Sequence, residues 1–568
     1  MALVVAPELG AGLAVPGRDE AWSVGVEDPA ALVRAVEDEL APRWAMWSSA
    51  TAIELARDGV RVARSWDAAA VHRLLFGGWR ADPARVWARL HGRSTVDLPT
   101  AGPVDLFSQP DDADGGRAIR ADGHLNPAWA AGEWADDADR FGPWAHALAE
   151  VARLQQEAVG QVAVDADRPM AMRTAIAEST AELLCAELAV DGLPMDRTAM
   201  EALVSGYVGP RPRSSQEASE LRDARDEQVL RHVPEGVRFD LRSPSQVKSM
   251  LRMVGVEVPD TRAWRLERVR DAHPLVDALL TWRKAERVQT TFGYGWLDEN
   301  LGADGRFRGE WSGSDGAAGR MTASAGLHNM PADLRDGVLA EPGHVFVRAD
   351  LGQIEPRVLA AVSGDRALAA ATQADDLYAP VAAELGVDRA TAKVAVLGAM
   401  YGQTTGEGAR ALVGLRRFYP VAMAYLDAAD EAAQVGTDLR TYGGRLVRMG
   451  SAALGEPGQP GSVGDREARS RAAARGRYGR NAMVQGAAAE LFKVWAVTVR
   501  ARGRSIGAAV VLCLHDELLV HVPVDHAEAA AALVDDALQE AAARWAPDRS
   551  VRFLADTSVI STWADAKP

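Results

Sequence analysis

The sequence has little cysteine, no long apolar run and a deficit of positive charge. Its 568 residues include two cysteines, Cys185 and Cys513, both within apolar runs. Two thiols supply neither a disulfide framework nor a cysteine zinc site, so we predict buried free thiols in a reducing compartment. No run is long enough to span a bilayer, and the apolar N-terminus lacks a basic segment and is interrupted by Pro7 and Gly10. We expect an opening strand there and a cytoplasmic protein.

Acidic residues outnumber basic ones by 79 to 63, a formal net charge of −16. This balance argues against a uniformly basic nucleic-acid-binding protein, because phosphate contacts need Lys and Arg. Local basic surfaces can still exist within an acidic shell. The stretch "DREARSRAAARGRYGRNAMVQG" from residue 465 has six arginines before Asn481 and Gln485, which share a helical face. This pattern favours a phosphate-binding surface, with a solvated helix face as the alternative.

The length suits two to four domains. The first third is mainly helical, and a mixed α+β body follows. Helical periodicity predicts a helix from about residue 175, another starting near Ser243–Pro244 and a third over 276–291. The stretches "GHVFVRAD" and "GAAVVLCLHDELLVHVP" are β-rich, while 101–123 and 454–465 have loop composition.

Two apolar strands are each predicted to end in an aspartate. Asp350 ends "HVFVRAD", and Asp516 lies where "VVLCL" and "LLVHV" would form a hairpin. If these are adjacent strands of one sheet, the two carboxylates converge, and a cation between them would relieve their repulsion. Oxygen-only ligands suit Mg²⁺, and two such ions can support phosphoryl transfer. The alternative is a pair of ordinary turn acids.

The stretch "VDRATAKVAVLGAMYGQ" predicts a helix of about 13 residues with Asp388 as N-cap and Gly402 as C-terminal stop. Every fourth position forms one stripe of two cations, one apolar residue and one aromatic residue, namely Arg389, Lys393, Leu397 and Tyr401. The cations suit a triphosphate near the helix N-terminus, and the other two suit a base or a sugar. An amphipathic helix with a solvated basic edge is the alternative.

From about residue 175 to 568 the chain resembles the family A DNA polymerases of the bacterial polymerase I type. "DLGQIEPRVLA" and "LHDELLVHV" resemble the two palm motifs, and "RATAKVAVLGAMYG" resembles the fingers helix. "GRMTASAGLHNMP" and "NAMVQGAAAELFK" are similar to DNA-contacting motifs, and "FDLRSPSQVKSML" and "WRKAERVQTT" are similar to thumb helices. Seven motifs occur in the order that the family has.

The resemblance implies roles for individual residues. Asp350 and Asp516 would hold metal, and the catalytic set would be Asp350, Asp516, Glu517 and Lys393. The nucleotide-binding set would be Arg389, Lys393, Leu397, Tyr401, Gln353, Tyr378 and Glu355, the last closing on the sugar 2′ position. The DNA-binding set would be Arg320, Asn329, Asn481, Gln485, His515 and Arg445. Three positions depart from the family pattern: Leu397 replaces a Phe, Tyr378 a His and Leu351 a Tyr.

The implied fold is α+β and multidomain. A right-hand polymerase, with an antiparallel palm sheet and helical fingers and thumb, would cover 171–568. Its thumb would span about 175–300, its palm about 305–363 and 436–568, and its fingers about 364–435. A degenerate, ribonuclease-H-like 3′–5′ exonuclease domain would precede it over 1–170. That region has neither an Asp-x-Glu pair nor any tyrosine, both of which the exonuclease chemistry needs.

The implied function is template-directed addition of dNTPs to a primer 3′-OH, with pyrophosphate release and without proofreading. A bifunctional exonuclease/polymerase and an inactive DNA-binding scaffold are the alternatives. The implied cofactor is Mg²⁺, as two ions, with Mn²⁺ as a substitute. The implied partners are primer–template DNA and dNTPs, with no membrane. A monomer in the bacterial cytoplasm, associated with the nucleoid, is expected.

Overall fold

A computed structural model describes residues 1–100, 116–234, 236–402, 408–450, 465–514 and 516–566. The predicted loops therefore lie mostly outside the described residues. The strands are β1 Ala2–Ala6, β2 Gly10–Ala14, β3 Ala21–Gly25, β4 Arg43–Met46, β5 Arg64–Asp67, β6 Leu193–Pro194, β7 Arg306–Phe307, β8 Trp311–Ser312, β9 Thr322–Ala323, β10 His344–Leu351, β11 Leu439–Arg440, β12 Leu446–Val447, β13 Ala509–Leu514, β14 Glu517–Pro523 and β15 Ala555–Ile560.

The helices alternate with these strands through most of the chain. They are α1 Pro29–Leu40, α2 Ser49–Arg57, α3 Ala68–Phe76, α4 Pro83–Leu90, α5 Pro127–Ala130, α6 Phe141–Asp165, α7 Ala171–Asp191, α8 Arg197–Val208, α9 Ser215–Leu230, α10 Pro244–Met253, α11 Ala263–Glu267, α12 Pro274–Thr291, α13 Tyr294–Asn300, α14 Ile354–Ser363, α15 Arg366–Ala371, α16 Tyr378–Leu385, α17 Arg389–Tyr401, α18 Gly408–Phe418, α19 Pro420–Gln434, α20 Asp465–Gly503 and α21 Ala527–Trp545. Within the described residues, no helix is both long and apolar enough to cross a membrane.

The described chain divides into two compact units. The first comprises Met1–Asp191, Glu310–Thr322 and Gly343–Val559; the second comprises Gly192–Gly309, Ala323–Pro342 and Ile560–Pro568. Helix α7 belongs to the first unit. The domain limits expected from the sequence stay predictions.

The first unit contains a five-stranded sheet of order β3-β2-β1-β4-β5. Its first three strands are antiparallel, and β4 and β5 run parallel to β1. The apolar N-terminus forms β1 and β2, so the opening strand predicted there is confirmed. Helix α6 packs against β1, β2 and β3, and its buried Trp144 stacks on Trp47. A large apolar core therefore fixes this sheet against its helices.

A second sheet of the first unit has the order β13-β14-β10-β15. Strand β14 pairs antiparallel with both β10 and β13, which confirms the predicted hairpin and the predicted adjacency of the two strands. Six of the seven residues of β14 are buried, which requires cover on both faces of the sheet. Helix α20 packs on β13, and α21 packs on β10 and β14.

Three helices follow the sequence predictions closely. Helix α17 has Asp388 as its N-cap, whose side chain accepts from the Thr391 N–H, and ends at Gly402 in the left-handed conformation. The second unit contains α10, which begins at Pro244, and α12. Both predicted positions are confirmed. The pattern predicted as one helix from residue 175 is instead α7 and α8, because Gly192 and Pro194 interrupt it.

Candidate active site

Two aspartates meet at one edge of the four-stranded sheet. Asp350 lies near the end of β10, and Asp516 lies in the turn between β13 and β14. The antiparallel register places Asp350 opposite Glu517, and the Leu351 N–H donates to the Asp516 carbonyl at 2.9 Å. The convergence predicted from the two strand ends is therefore present.

The charges at this edge are poorly compensated. Burial, with the neighbouring charge of Asp516, raises the pKa of Asp350 to about 6. Burial also raises the pKa of Asp516 to about 6, with Glu517 and Glu355 adding to the effect. Two partly buried carboxylates that oppose each other's ionisation form an oxygen donor set that suits a hard divalent cation such as Mg²⁺ or Mn²⁺.

Arg348 is a residue of this edge that the sequence motifs did not single out. Its guanidinium donates to Asp350 at 2.9 Å and to Glu517 at 3.0 Å, and it is only 7% exposed. It lies two residues before Asp350, on the same face of β10. In the sequence, the two-residue spacing on a predicted strand was the signal that could have placed Arg348 beside Asp350. Arg348 offsets part of the negative charge and holds Glu517 in an ion pair.

A cavity of about 490 Å³ opens beside Asp516. It is bounded by the end of β10 and by helices α14, α17 and α20. Its walls bring together most of the residues predicted to bind a nucleotide. They include Arg320, Gln353, Glu355, Tyr378, Lys393, Leu397, Tyr401, Gln485 and Asp516.

Glu355 and Tyr401 are linked across this cavity. The Tyr401 hydroxyl donates to the Glu355 carboxylate at 2.9 Å. Burial and the charge of Glu355 raise the pKa of Tyr401 to about 12, so the hydroxyl keeps its proton. The hydrogen bond holds the carboxylate at a fixed place in the wall. A group bound there meets a rigid obstacle and not a mobile side chain.

Arg389 is held by an acid that the sequence analysis did not name. Its Nε donates to Asp376, and the same carboxylate accepts from Gln353 Nε2 at 2.7 Å. Burial alone would raise the pKa of Asp376, but these two hydrogen bonds hold it below its ordinary value. The guanidinium also lies 5.8 Å from the centre of the Tyr378 ring. Arg389 itself does not line the cavity.

The loop carrying Asp376 is anchored by Arg357, another residue outside the predicted set. Its fully buried guanidinium donates to five carbonyls, at 2.5 to 3.0 Å, of Gly352, Thr372, Ala374, Asp375 and Arg552. A planar fork with five N–H donors can satisfy such a set, which Lys could not. Helix α14 and the Asp376 loop are therefore fixed to each other.

A family model described as DNA polymerase family A matches residues 213–565, more than half of the chain. This chain belongs to DNA polymerase family A. It is similar to DNA polymerase I of Deinococcus radiodurans, with 25% identity over 80% of this chain and 47% of that protein. It is also similar to DNA polymerase I of Chloroflexus aurantiacus, with 32% identity over 48% of this chain and 31% of that protein.

The chain thus spans about half the length, or less, of these curated family A relatives. A solved structure, the POL domain of Pol1 from M. smegmatis in complex with DNA primer-template and dNTP, has a similar fold. The TM-score is 0.67 at 20% identity, covering 96% of this chain and 90% of that one.

The remaining residues assigned from the family A resemblance have varied positions. Arg320 and Gln485 line the cavity, and Asn481 Oδ1 is buried without a hydrogen-bond partner among the described residues. Asn329 belongs to the second unit, where its carbonyl accepts from Arg287. His515 lies outside the described residues.

Two arginines are buried, one from the DNA-binding set that the resemblance implies and one from the basic cluster predicted to bind phosphate. Arg445 is 1% exposed and pairs with Glu178 at 2.6 Å, so the structure does not support its direct contact with DNA. Arg480, in the basic cluster, donates to the Ala399 carbonyl and pairs with Asp427. Both guanidinium groups are used inside the unit. Arg477, in the same cluster, is exposed.

Proposed function

We propose that this chain is a template-directed DNA polymerase that adds dNTPs to a primer 3′-OH and releases pyrophosphate. One observation carries the proposal: the Asp350–Asp516 edge lies beside a cavity whose walls present Lys393, Tyr401 and Glu355. This reaction requires acids that can hold divalent cations, a positively charged side chain for the triphosphate and a rigid wall against the sugar.

Asp350 and Asp516 would hold two Mg²⁺ ions, or Mn²⁺ in their place. When bound, such ions activate the attacking oxygen and stabilise the leaving one in phosphoryl transfer. Arg348 would keep Glu517 neutralised and orient Asp350 toward the cavity. At neutral pH, above the raised pKa of about 6 of both aspartates, the carboxylates are ionised and available to a cation.

Lys393 would contact the triphosphate, since its exposed ammonium faces the cavity from the N-terminal half of α17. Arg389 would join it after leaving Asp376, and the helix dipole would favour the same anion. Glu355, held by Tyr401, would exclude a sugar carrying a 2′-hydroxyl. Leu397 and Tyr378 would pack on the sugar and base, while Arg320, Asn481 and Gln485 would contact primer–template DNA.

The domain assignment follows from the same proposal. We assign the four-stranded sheet to a palm, α15–α19 to the fingers, and the helices of the second unit to a thumb. The five-stranded sheet would belong to a degenerate exonuclease domain without proofreading. Its strand β1, "ALVVA", carries no acid, and Asp67 on β5 is buried as the N-cap of α3.

Primer extension by the purified chain tests the proposal against both alternatives. We expect Mg²⁺-dependent extension of a 5′-labelled primer, and no shortening of a mismatched primer when dNTPs are omitted. Asp350→Ala should abolish extension while DNA binding persists. Normal extension by this variant would refute the assignment. Shortening of the mismatched primer would favour the bifunctional enzyme, and DNA binding without extension by the unmodified chain would favour a scaffold.

A further inference from the structure

A second polar cavity of the first unit lies apart from the nucleotide site. Its volume is about 570 Å³, and none of its lining residues belongs to the first cavity. One wall is formed by α3, α4 and the loop between them. The opposite wall is formed by residues around β12, by Gly316–Ala317 and by Tyr478 of α20.

The charge lining this cavity is strongly positive. Four arginines face it, namely Arg80, Arg85, Arg89 and Arg448, against the single lining acid Asp438. Asp438 already accepts from the Met449 N–H, and Arg85 has Asp82 at 3.6 Å. Among the described residues, no carboxylate pairs with the other three arginines. Uncompensated guanidinium groups that converge on a concave surface are typical of phosphate recognition.

His72 provides an independent indication of a ligand. It lines the cavity and is 3% exposed, yet its Nδ1 has no hydrogen-bond partner among the described residues. Burial, together with nearby arginines including Arg85, lowers the pKa of His72 to about 3, so the ring is neutral. A buried polar atom without a partner costs free energy that a bound ligand recovers.

The two walls are held close by a glycine. Gly77 has φ of +66°, and a Cβ at this position would lie 2.9 Å from the Leu446 carbonyl and 3.2 Å from Arg448 Cγ. The Arg448 Nε in turn donates to the Phe76 carbonyl. The cavity is therefore a built feature that joins the N-terminal part of the unit to the β12 segment.

Aromatic groups accompany the arginines. Trp79 is 65% exposed at the cavity, and Tyr478 lines it from α20. Exposed aromatic rings beside cations bind single-stranded nucleic acid by stacking on bases while the cations contact phosphates. Arg477, the residue before Tyr478, packs against Gly402 at the end of α17. A Cβ added to Gly402 would lie 2.8 Å from Arg477 Cγ. Helix α20 thus lies between the two cavities.

We propose that this second cavity, the α3–β12 cavity, binds a single-stranded segment of DNA through its phosphates, with Trp79 and Tyr478 contacting bases. The inference rests on the proposed polymerase function, because that function brings single-stranded template to this unit. A free nucleotide shares the phosphate chemistry, and a competition experiment distinguishes it from a single strand.

The test uses the full chain and the double variant Arg80→Ala/Arg89→Ala, both exposed positions. Binding of fluorescein-labelled single-stranded dT20 is measured by anisotropy at several salt concentrations. We expect Kd to rise about tenfold and the salt slope to become shallower by roughly 1.4, since each phosphate contact to a single strand contributes about 0.7. The matched control, Arg57→Ala/Arg153→Ala, removes one exposed and one half-buried arginine of α2 and α6 that do not line the cavity.

A cross-linking arm locates the strand. Irradiation of the complex with 5-iododeoxyuridine-substituted dT20 should attach the oligonucleotide to Trp79 or Tyr478. The double variant Trp79→Ala/Tyr478→Ala should remove that product. Unchanged Kd and slope in the Arg80/Arg89 variant, or cross-links confined to other residues, would overturn the proposal. Competition by dATP as strong as by dT20 would indicate a free-nucleotide site and overturn it too.

The outcome is separable from that of the polymerase assignment. The Arg80/Arg89 variant should extend a primer on a template with a two-nucleotide overhang at the unmodified rate. Asp350→Asn should lose extension yet give the same cross-link.

Discussion

The first unit holds two pairs of acids with raised pKa values, and their surroundings differ. Asp350 and Asp516 lie beside an open cavity, where Asp350 accepts from Arg348 and the Arg348 charge offsets part of the burial that raises the pKa of Asp516. Asp67 and Glu182 are 3% and 4% exposed, and burial followed by the charge of Glu182 raises the pKa of Asp67 to about 8.

The buried pair is fully engaged by the protein itself. Asp67 accepts from the Ala70 N–H at 2.7 Å, and Glu182 accepts from Arg73 at 3.2 Å. A raised pKa therefore does not by itself mark a reactive site, since structural networks shift pKa values as well. Access to a cavity and unfilled acceptor capacity separate the two pairs.

The largest expected difference between the pairs is in catalysis. Asp350→Asn should lower the single-turnover rate of primer extension by about 10³-fold or more, because a neutral amide cannot hold the cation that the transition state needs. Asp67→Asn should change the same rate by less than about threefold, since Asn keeps the helix cap. Equal losses in both variants would remove the distinction.

The buried acids of the first unit depend on ion pairs with buried cations, and Glu178 is the place to test this. Glu178 is 2% exposed and accepts from Lys493 and pairs with Arg445, both at 2.6 Å. Glu178→Gln removes the carboxylate that pairs with both buried cations and should lower the free energy of unfolding by about 3–5 kcal/mol. Urea denaturation measures this loss.

The matched control for that loss is Glu157→Gln, the exposed partner of Arg153 on α6. Its ion pair is solvated and should contribute about 0–1 kcal/mol. A similar, small loss in both variants would show that the buried ion pairs of Glu178 contribute no more to stability than a solvated pair.

The pair that opens on a cavity is tested further at Glu355, which lines the same cavity. Glu355→Ala removes the carboxylate that Tyr401 holds, and we expect rNTP incorporation relative to dNTP to rise by about 10–200-fold. Tyr401→Phe keeps the carboxylate but frees it, so a smaller rise is expected, by about 1 kcal/mol or roughly fivefold. Competition assays with paired dNTP and rNTP give both ratios. Unchanged selectivity in both variants would exclude Glu355 from sugar recognition.

The smallest expected effect is on thermal stability, through its dependence on pH and on added metal. The folded pKa of about 6 for Asp350 and Asp516 exceeds the ordinary aspartate value of about 4, so the folded state binds more protons between these limits. The contribution of this pair to stability therefore falls as pH rises from about 4 to 6, and stays low above that window.

At pH 8 without metal, Asp350→Asn should accordingly raise Tm, on the order of 1–3 °C. Added Mg²⁺ should raise the Tm of the unmodified chain and have a weaker effect on the variant, because binding to the folded state stabilises it. Differential scanning calorimetry checks both shifts. A lower Tm for the variant than for the unmodified chain, both without metal, would show that Asp350 and Asp516 do not destabilise the fold by repelling each other.

The sequence allowed the strand ends and α17 to be predicted because their determinants are local. Acids that end alternating apolar runs, an Asp N-cap and a Gly stop need no knowledge of tertiary contacts. Arg348 was missed because its ion pair with Glu517 depends on the register between β10 and β14. Arg445 was assigned to DNA from the family resemblance. Its partner Glu178 is remote in sequence, and only the packing of α7 brings the two together.

Arg357 makes the loop beside the Asp516 cavity depend on a contact between parts of the chain that are distant in sequence. Its guanidinium joins the Thr372–Asp375 loop to the Arg552 carbonyl, which lies 195 residues further along the chain. Such a contact closes a long loop, whose entropic cost delays it relative to local structure. During synthesis the Asp376 loop therefore acquires its full set of anchors only after residue 552 has left the ribosome.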